Sequence, residues 1–218
     1  FTENEIRNAM LLYAITDRSW LKEGESLAGV CENVLKNGAT FLQIREKDLD
    51  GDAFEKEAGE LKELCGRYHV PFVVNDSVEI AIDIGADGVH VGQSDIRGRD
   101  IRAMIGPDKI LGISAGTVEE ARAAENAGAD YIGVGAVFGT STKKDARNLT
   151  IEKLQEISGS VSIPVVAIGG INRGNVKELK GSGVDGIAVI SAIFAAEDPG
   201  QAARELLELS KETVYGNE

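Results

Sequence analysis

The sequence predicts a single (β/α)8 TIM barrel over residues 1–218. Three observations predict it. Short apolar runs rich in β-branched residues alternate eight times with amphipathic stretches. One phrase recurs four times: a glycine, a small residue, often an aspartate, then an apolar run. The polar side chains with chemistry to offer gather just after the apolar runs. A chain of 218 residues is long for an ordinary domain but normal for one barrel.

The strands are expected, in order, at "LLYAIT" (Leu11–Thr16), "TFLQIR" (Thr40–Arg45), "PFVVND" (Pro71–Asp76), "GVHVG" (Gly88–Gly92), "ILGIS" (Ile110–Ser114), "YIGVG" (Tyr131–Gly135), "VVAIG" (Val165–Gly169) and "GIAVI" (Gly186–Ile190). Helical patterns fall between and after them, over Leu27–Leu35, Ala53–Tyr68, Val78–Ile84, Arg99–Met104, Val118–Ala127, Ile151–Glu156, Val176–Lys180 and Gln201–Leu209. Strand starts lie about 17 to 34 residues apart, the spacing of βα units. Short, continuously apolar strands are buried on both faces, as parallel strands under helices are. The recurring phrase reads "NGATFLQIR", "IGADGVHVG", "AGADYIGVG" and "SGVDGIAVI". Its glycine suits the left-handed residue that ends a helix. The alternative, an open doubly wound sheet, lacks its usual glycine fingerprint, because the turn after the first strand reads "TDRSWLKEGES". Residues 1–10 read as an N-terminal extension, and residues 211–218, "KETVYGNE", as a polar tail that frays.

Net charge is −13, with 43% hydrophobic and 27% charged residues. That is a soluble globular profile, and so acidic a surface repels nucleic acid and anionic membrane. No run of 18 apolar residues occurs and no signal peptide is visible, so a cytoplasmic location is expected. Cys31 and Cys65 sit in helical patterns and read as buried, reduced thiols. Barrels often pair, so a homo-oligomer is compatible with this reading, although no stripe singles out an interface.

A barrel carries its chemistry at the C-terminal ends of its strands. Strand two ends "QIREK", and alternation puts Gln43 and Arg45 on one face and Leu42 and Ile44 on the other. If the aliphatic pair lies under the helices, Gln43 and Arg45 enter the mouth, with Lys47 beside them. Arg45 then needs an anion, either a ligand or a structural carboxylate such as Asp17 or Glu46. Strands three and four bring Asn75, Asp76, His90, Gln93 and Asp95. Two carboxylates at adjacent strand ends make a hard oxygen site suited to Mg²⁺; each also reads as a helix N-cap. His90 reads as a satisfied core or mouth histidine, or as a proton carrier, and His69 as a surface residue. Two histidines exclude a His-rich metal site. Ser114 ends strand five as a lone hydroxyl, equally suited to a cap or turn. Strand six leads into "GTSTKK", a hydroxyl-rich loop with Lys143 and Lys144, a local exception in an acidic chain. Gly169 and Gly170 after strand seven, and Ile190 and Ser191 after strand eight, sit where barrels commonly hold phosphate, or make a plain tight turn. Two anion sites at one mouth suggest two phosphorylated substrates, or one substrate phosphorylated at both ends.

Taken together, "QIREK", "VPFVVNDSVEIA", "GADGVHVGQSD", "LGIS", "GADYIGVGAVFGTSTKKDA", "IPVVAIGGI" and "DGIAVISAIF" resemble the thiamine-phosphate synthase family across about Leu11 to Leu209. The resemblance implies a transferase that joins hydroxymethylpyrimidine diphosphate to thiazole phosphate, or its carboxylate form, releasing pyrophosphate. It implies that the stretch Gln43, Ile44, Arg45, Glu46 and Lys47, with Asn75, Ser114 and Lys143, serves the diphosphate substrate. Arg45, Lys47, Ser114 and Lys143 would act in catalysis. Asp76 and Asp95 would hold Mg²⁺. Thr140, Ser141, Thr142, Gly170, Ile190 and Ser191 would meet the thiazole phosphate. The family mechanism is dissociative, so no protein nucleophile is needed. A sister family, the thiazole tautomerases, uses a histidine in the loop after strand six, where this chain has none. A non-catalytic binder of the thiazole phosphate or of thiamine phosphate is the third reading.

Overall fold

The computed structural model describes residues 1–139 and 148–216. Helix α1 (Glu3–Ala9) leads into β1 (Leu12–Ile15), α2 (Leu27–Lys36), β2 (Phe41–Ile44), α3 (Gly51–Arg67), β3 (Phe72–Asn75), α4 (Val78–Asp83) and β4 (Gly88–Val91). Two short helices follow, α5 (Gln93–Ile96) and α6 (Ile101–Ile105), then β5 (Ile110–Ala115), α7 (Val118–Asn126), β6 (Tyr131–Val134), α8 (Ile151–Gly159) and β7 (Val165–Ile168). The chain closes with β8 (Gly186–Val189), α9 (Ser191–Phe194) and α10 (Pro199–Tyr215). All neighbouring strands pair in parallel, and β8 returns to β1 with Tyr13 opposite Ala188, so the sheet is a closed (β/α)8 barrel.

The recurring phrase has a physical basis at both of its halves. Gly38, Gly85 and Gly128 stand at positive φ just past α2, α4 and α7. Their N–H groups, and those of Ala39, Ala86 and Ala129, bond back to the last helical carbonyls, the Schellman pattern that ends a helix. Gly183 takes the same left-handed conformation in the fourth copy, after a 3-10 turn. The polar residue that follows is a latch between strands. Thr40 Oγ1 accepts the Leu12 N–H at 2.8 Å, Asp87 Oδ2 that of Phe72 at 2.9 Å, Asp130 Oδ2 that of Leu111 at 2.8 Å, and Asp185 Oδ2 that of Val165 at 2.9 Å. Each even strand therefore satisfies a backbone donor of the odd strand before it, at the N-terminal end of the barrel.

The core has two parts. Helix-facing residues such as Leu42, Ile44, Val74, Ile113 and Ile132 form the outer cluster with α2 to α10. Tyr13, Phe41, Val73, Ile110, Tyr131 and Val166 fill the interior, with Ile6 and Ala9 of α1 and the capping Met10 against them. The N-terminal extension is thus a helix that stoppers the barrel floor, and its Thr2 and Glu5 cap each other reciprocally. Two expectations need correction. Val176–Leu179 is a 3-10 turn rather than an α-helix, so the β7–β8 excursion is short. Residues 211–215 do not fray: α10 carries them to Tyr215, with Thr213 buried and the Ser210 hydroxyl donating to the Leu11 carbonyl at 2.6 Å. Cys31 and Cys65 are free and buried, as expected. Among the described residues no helix is long and apolar enough to cross a membrane.

Candidate active site

The alternation read in "QIREK" holds. Leu42 and Ile44 lie under the helices, while Gln43 points into the barrel and its Nε2 donates to the Tyr13 hydroxyl at 2.6 Å. Arg45 leaves the strand with its backbone N–H bonded to Thr16 Oγ1 at 3.1 Å. Neither carboxylate considered as its structural partner is used that way. Asp17 accepts from the N–H and hydroxyl of Ser19, and Glu46 pairs with Arg18 at 3.7 Å. Among the described residues Arg45 makes no ion pair, so its charge is open to a ligand at the mouth. Lys47 is exposed beside it.

Ile44 and Glu46 belong to the same stretch, but their side chains turn away from the mouth. Ile44 is fully buried in the helix-facing core. Glu46 has a side chain only 3% exposed, set against Arg18 and Glu57. One oxygen of each glutamate is buried without a hydrogen-bond partner. Burial first, then hydrogen bonding to Glu57, pushes the Glu46 carboxyl up to about 7. A protonated Glu46 carboxyl would be a donor for the neighbouring Glu57 carboxylate. Any contact these two residues make with substrate would come from their backbone.

At the ends of β3 and β4, Asn75 pairs in register with His90, and the Asp76 N–H donates to the His90 carbonyl at 2.8 Å. Asp76 is exposed and stands at φ 65°, a left-handed conformation uncommon outside glycine, of the kind stored at functional positions. It is not the cap of α4; Ser77 is, its Oγ accepting from the Ile80 N–H. Asp95 lies in the first turn of α5, where Oδ2 accepts the Gly92 N–H at 2.9 Å, and α6 is capped by Asp100. Among the described residues no cluster of three or more His, Cys, Asp or Glu could hold a metal alone. Asp76 follows β3 and Asp95 follows β4, and carboxylate oxygens are the donor type that would suit a hard ion such as Mg²⁺.

Deeper in the throat one hydrogen-bonded chain crosses the barrel. Ser114 Oγ lies 2.8 Å from His90 Nε2, and His90 Nδ1 lies 2.9 Å from the Tyr131 hydroxyl. Tyr131 and Tyr13 share a bond of 2.5 Å, and Gln43 closes the chain. Burial lowers the His90 imidazole to about 4 and raises both phenols. His90 is therefore the satisfied mouth histidine of the sequence reading, bonded at both nitrogens. Tyr13 and Tyr131, which the sequence reading took only as parts of strands, join this hydrogen-bonded chain. Their signal was slight: one tyrosine in each of two otherwise aliphatic or glycine-containing strands.

On the opposite side of the mouth, Gly169 and Gly170 stand at φ 111° and 62°. A side chain on Gly170 would come within 2.8 Å of the Gly139 carbonyl, so only glycine lets the turn after β7 lie against the segment after β6. Ile190 and Ser191 open α9, with Ser191 exposed. The structure thus brings Gln43, Arg45, Lys47, Asn75, Asp76, Asp95, Ser114, Gly170, Ile190 and Ser191 to the C-terminal end of one barrel. Thr140, Ser141, Thr142 and Lys143 lie outside the described residues.

A sequence profile of the family described as thiamine monophosphate synthase matches residues 12–193. A thiamine-phosphate synthase of Clostridium tetani is 48% identical over 195 residues, 89% of this chain and 93% of that relative. One from Methanobrevibacter smithii is 47% identical over 197 residues, 90% and 93% of the two chains. A solved thiamine phosphate pyrophosphorylase from Pyrococcus furiosus superposes with a TM-score of 0.86 at 41% identity, covering 96% of this chain and 99% of that one.

Proposed function

The chain belongs to the thiamine monophosphate synthase family, and from that membership we propose that it joins hydroxymethylpyrimidine diphosphate to thiazole phosphate, releasing pyrophosphate. The observation that carries this reading is Arg45, which makes no ion pair among the described residues and is set after β2 between Gln43 and Lys47, at the same barrel end as the turn of Gly169 and Gly170. Arg45 and Lys47 grip the diphosphate, and Asn75 and Ser114 orient it by hydrogen bonds. Gly170, Ile190 and Ser191 receive the thiazole phosphate; Thr140, Ser141, Thr142 and Lys143 complete the two anion sites. Asp76 and Asp95 hold Mg²⁺, which when bound neutralises charge on the diphosphate. Arg45 and Lys47 strengthen their hold as the carbon–oxygen bond lengthens and charge grows on the leaving group. The pyrimidine ring spreads the positive charge left behind, so the site supplies position and cations rather than a nucleophile.

The test is synthesis. Purified protein with Mg²⁺ and both substrates is expected to yield thiamine phosphate by mass spectrometry, and chelator to abolish it. Saturable binding of thiazole phosphate without product would overturn the transferase reading in favour of a binding protein. Full turnover under chelation would overturn the metal assignment alone.

A further inference from the structure

We infer that Gln43, Tyr13, Tyr131 and His90 form one polarised hydrogen-bond chain that holds Ser114 as a donor toward the mouth, which makes His90 a positioning residue for the transfer. The polarity follows from counting hydrogens. The chain begins at Gln43 Nε2, an amide nitrogen that only donates. The Tyr13 oxygen accepts there, so its own hydrogen must go elsewhere, and the Tyr131 oxygen at 2.5 Å receives it. Tyr131, having accepted, sends its hydrogen to His90 Nδ1 at 2.9 Å. A neutral ring with a bare Nδ1 carries its proton on Nε2, which donates to Ser114 Oγ at 2.8 Å. Ser114 is exposed at the rim, and its own hydrogen is left for whatever enters. Its strand end is held in place by Gln93, whose Nε2 donates to the Ser114 carbonyl at 3.0 Å.

Turning the Gln43 amide over would reverse every link. Tyr13 would donate to the amide oxygen, Tyr131 to Tyr13, Nδ1–H to Tyr131 and Ser114 into the ring. The mouth would then meet only serine lone pairs. An anionic oxygen gaining charge needs a donor, so one polarity assists departure of a diphosphate and the other opposes it. This consequence for turnover rests on the proposed role of Ser114; the polarity itself does not.

The chain has two histidines, so nitrogen NMR of protein labelled in the imidazole rings reads the tautomer directly, with His69→Asn giving the assignment. The expected result, without substrate and near neutral pH, is a proton on Nε2 and a bare, hydrogen-bonded Nδ1. A proton on Nδ1, alone or together with one on Nε2, would overturn the inference. The second arm is a double-mutant cycle on synthesis. Tyr131→Phe removes the donor to Nδ1 and is expected to cut kcat roughly tenfold to a hundredfold, with KM for thiazole phosphate little changed. Combined with Ser114→Ala it should add almost nothing, since both break one chain. His90→Gln, whose amide reaches the Nε2 position, should keep more turnover than His90→Asn. Additive losses would reduce His90 and Tyr131 to packing residues and overturn the positioning role. Failure of synthesis itself would overturn the transferase reading and leave the measured tautomer standing.

Discussion

Gly112 shows how much of the site depends on a missing side chain. A methyl group built there falls well inside contact distance of the Tyr131 ring and hydroxyl. The glycine on β5 therefore makes the room in which a tyrosine from β6 reaches across to His90 and Tyr13. Overpacking a closed core typically costs about 1–3 kcal/mol. Gly112→Ala is expected to lower the unfolding free energy measured in urea by that amount and to lower turnover with it, because relief requires Tyr131 to move. A stable variant with full activity would show that the Tyr131 position is not needed. The same residues mark where sequence reading stopped. Arg45, Lys47, Asp76 and Asp95 could be read as candidates, because charged groups just after an apolar strand seldom read as core; Glu46, buried beside Arg18, is the exception. Tyr131 could not, because a tyrosine inside an apolar run looks like filling. Its role appears only when the sheet closes and brings positions from β1, β2, β4, β5 and β6 into one throat.

Between elements, the legible signal was the repeat, and its two halves differ in how far they could be read. The helix-ending glycine was readable from local chemistry alone. The strand latch made by Thr40, Asp87, Asp130 and Asp185 was visible as a pattern but not as a contact, since its partner N–H lies some 15 to 30 residues away, a distance only the βα crossover spans. Glu46 is the reverse case, a residue in a stretch whose alternation was readable while its side chain serves another junction. It ties the end of β2 to Arg18 after β1 and to Glu57 on α3. Its folded pKa of about 7 stands above the ordinary value of 4.5. Between those values the folded chain holds a proton that the unfolded chain has lost. This junction's contribution to stability is therefore full below about pH 4.5 and falls as pH rises toward about 7. Glu46→Gln imitates the protonated acid permanently. Thermal melts are expected to place the variant near the wild-type chain at about pH 5 and above it at about pH 8. An equal difference at both pH values would mean that Glu46 stays ionised in the folded state.

Across the whole molecule, the barrel separates what holds it together from what it does. The latches, the Arg102 bonds to the Gly128, Gly106 and Lys109 carbonyls, and the α1 stopper all stand at the N-terminal ends of the strands. Lys47, Asp76 and Ser191 stand exposed at the other end, with Arg45 and Asp95 partly buried beside them. Variants from the two ends should therefore affect different measurements. Asp130→Ala strands the Leu111 N–H and takes the carboxylate partner from Arg102, which keeps its carbonyl bonds; it is expected to cost about 1–3 kcal/mol in urea while leaving kcat/KM within about twofold. Arg45→Ala removes a cation that no carboxylate among the described residues balances. It is expected to leave the urea midpoint unchanged and to reduce kcat/KM at least about tenfold, the usual scale for losing a charged hydrogen bond to substrate. The hydrogen-bonded chain from Gln43 to Ser114 runs from the core to the mouth, since its tyrosines are buried and its serine is exposed. Tyr13→Phe should thus move stability and turnover together. If Asp130→Ala lost turnover as well, the floor would be coupled to the mouth through the strands, and the division of labour between the two ends would have to be abandoned.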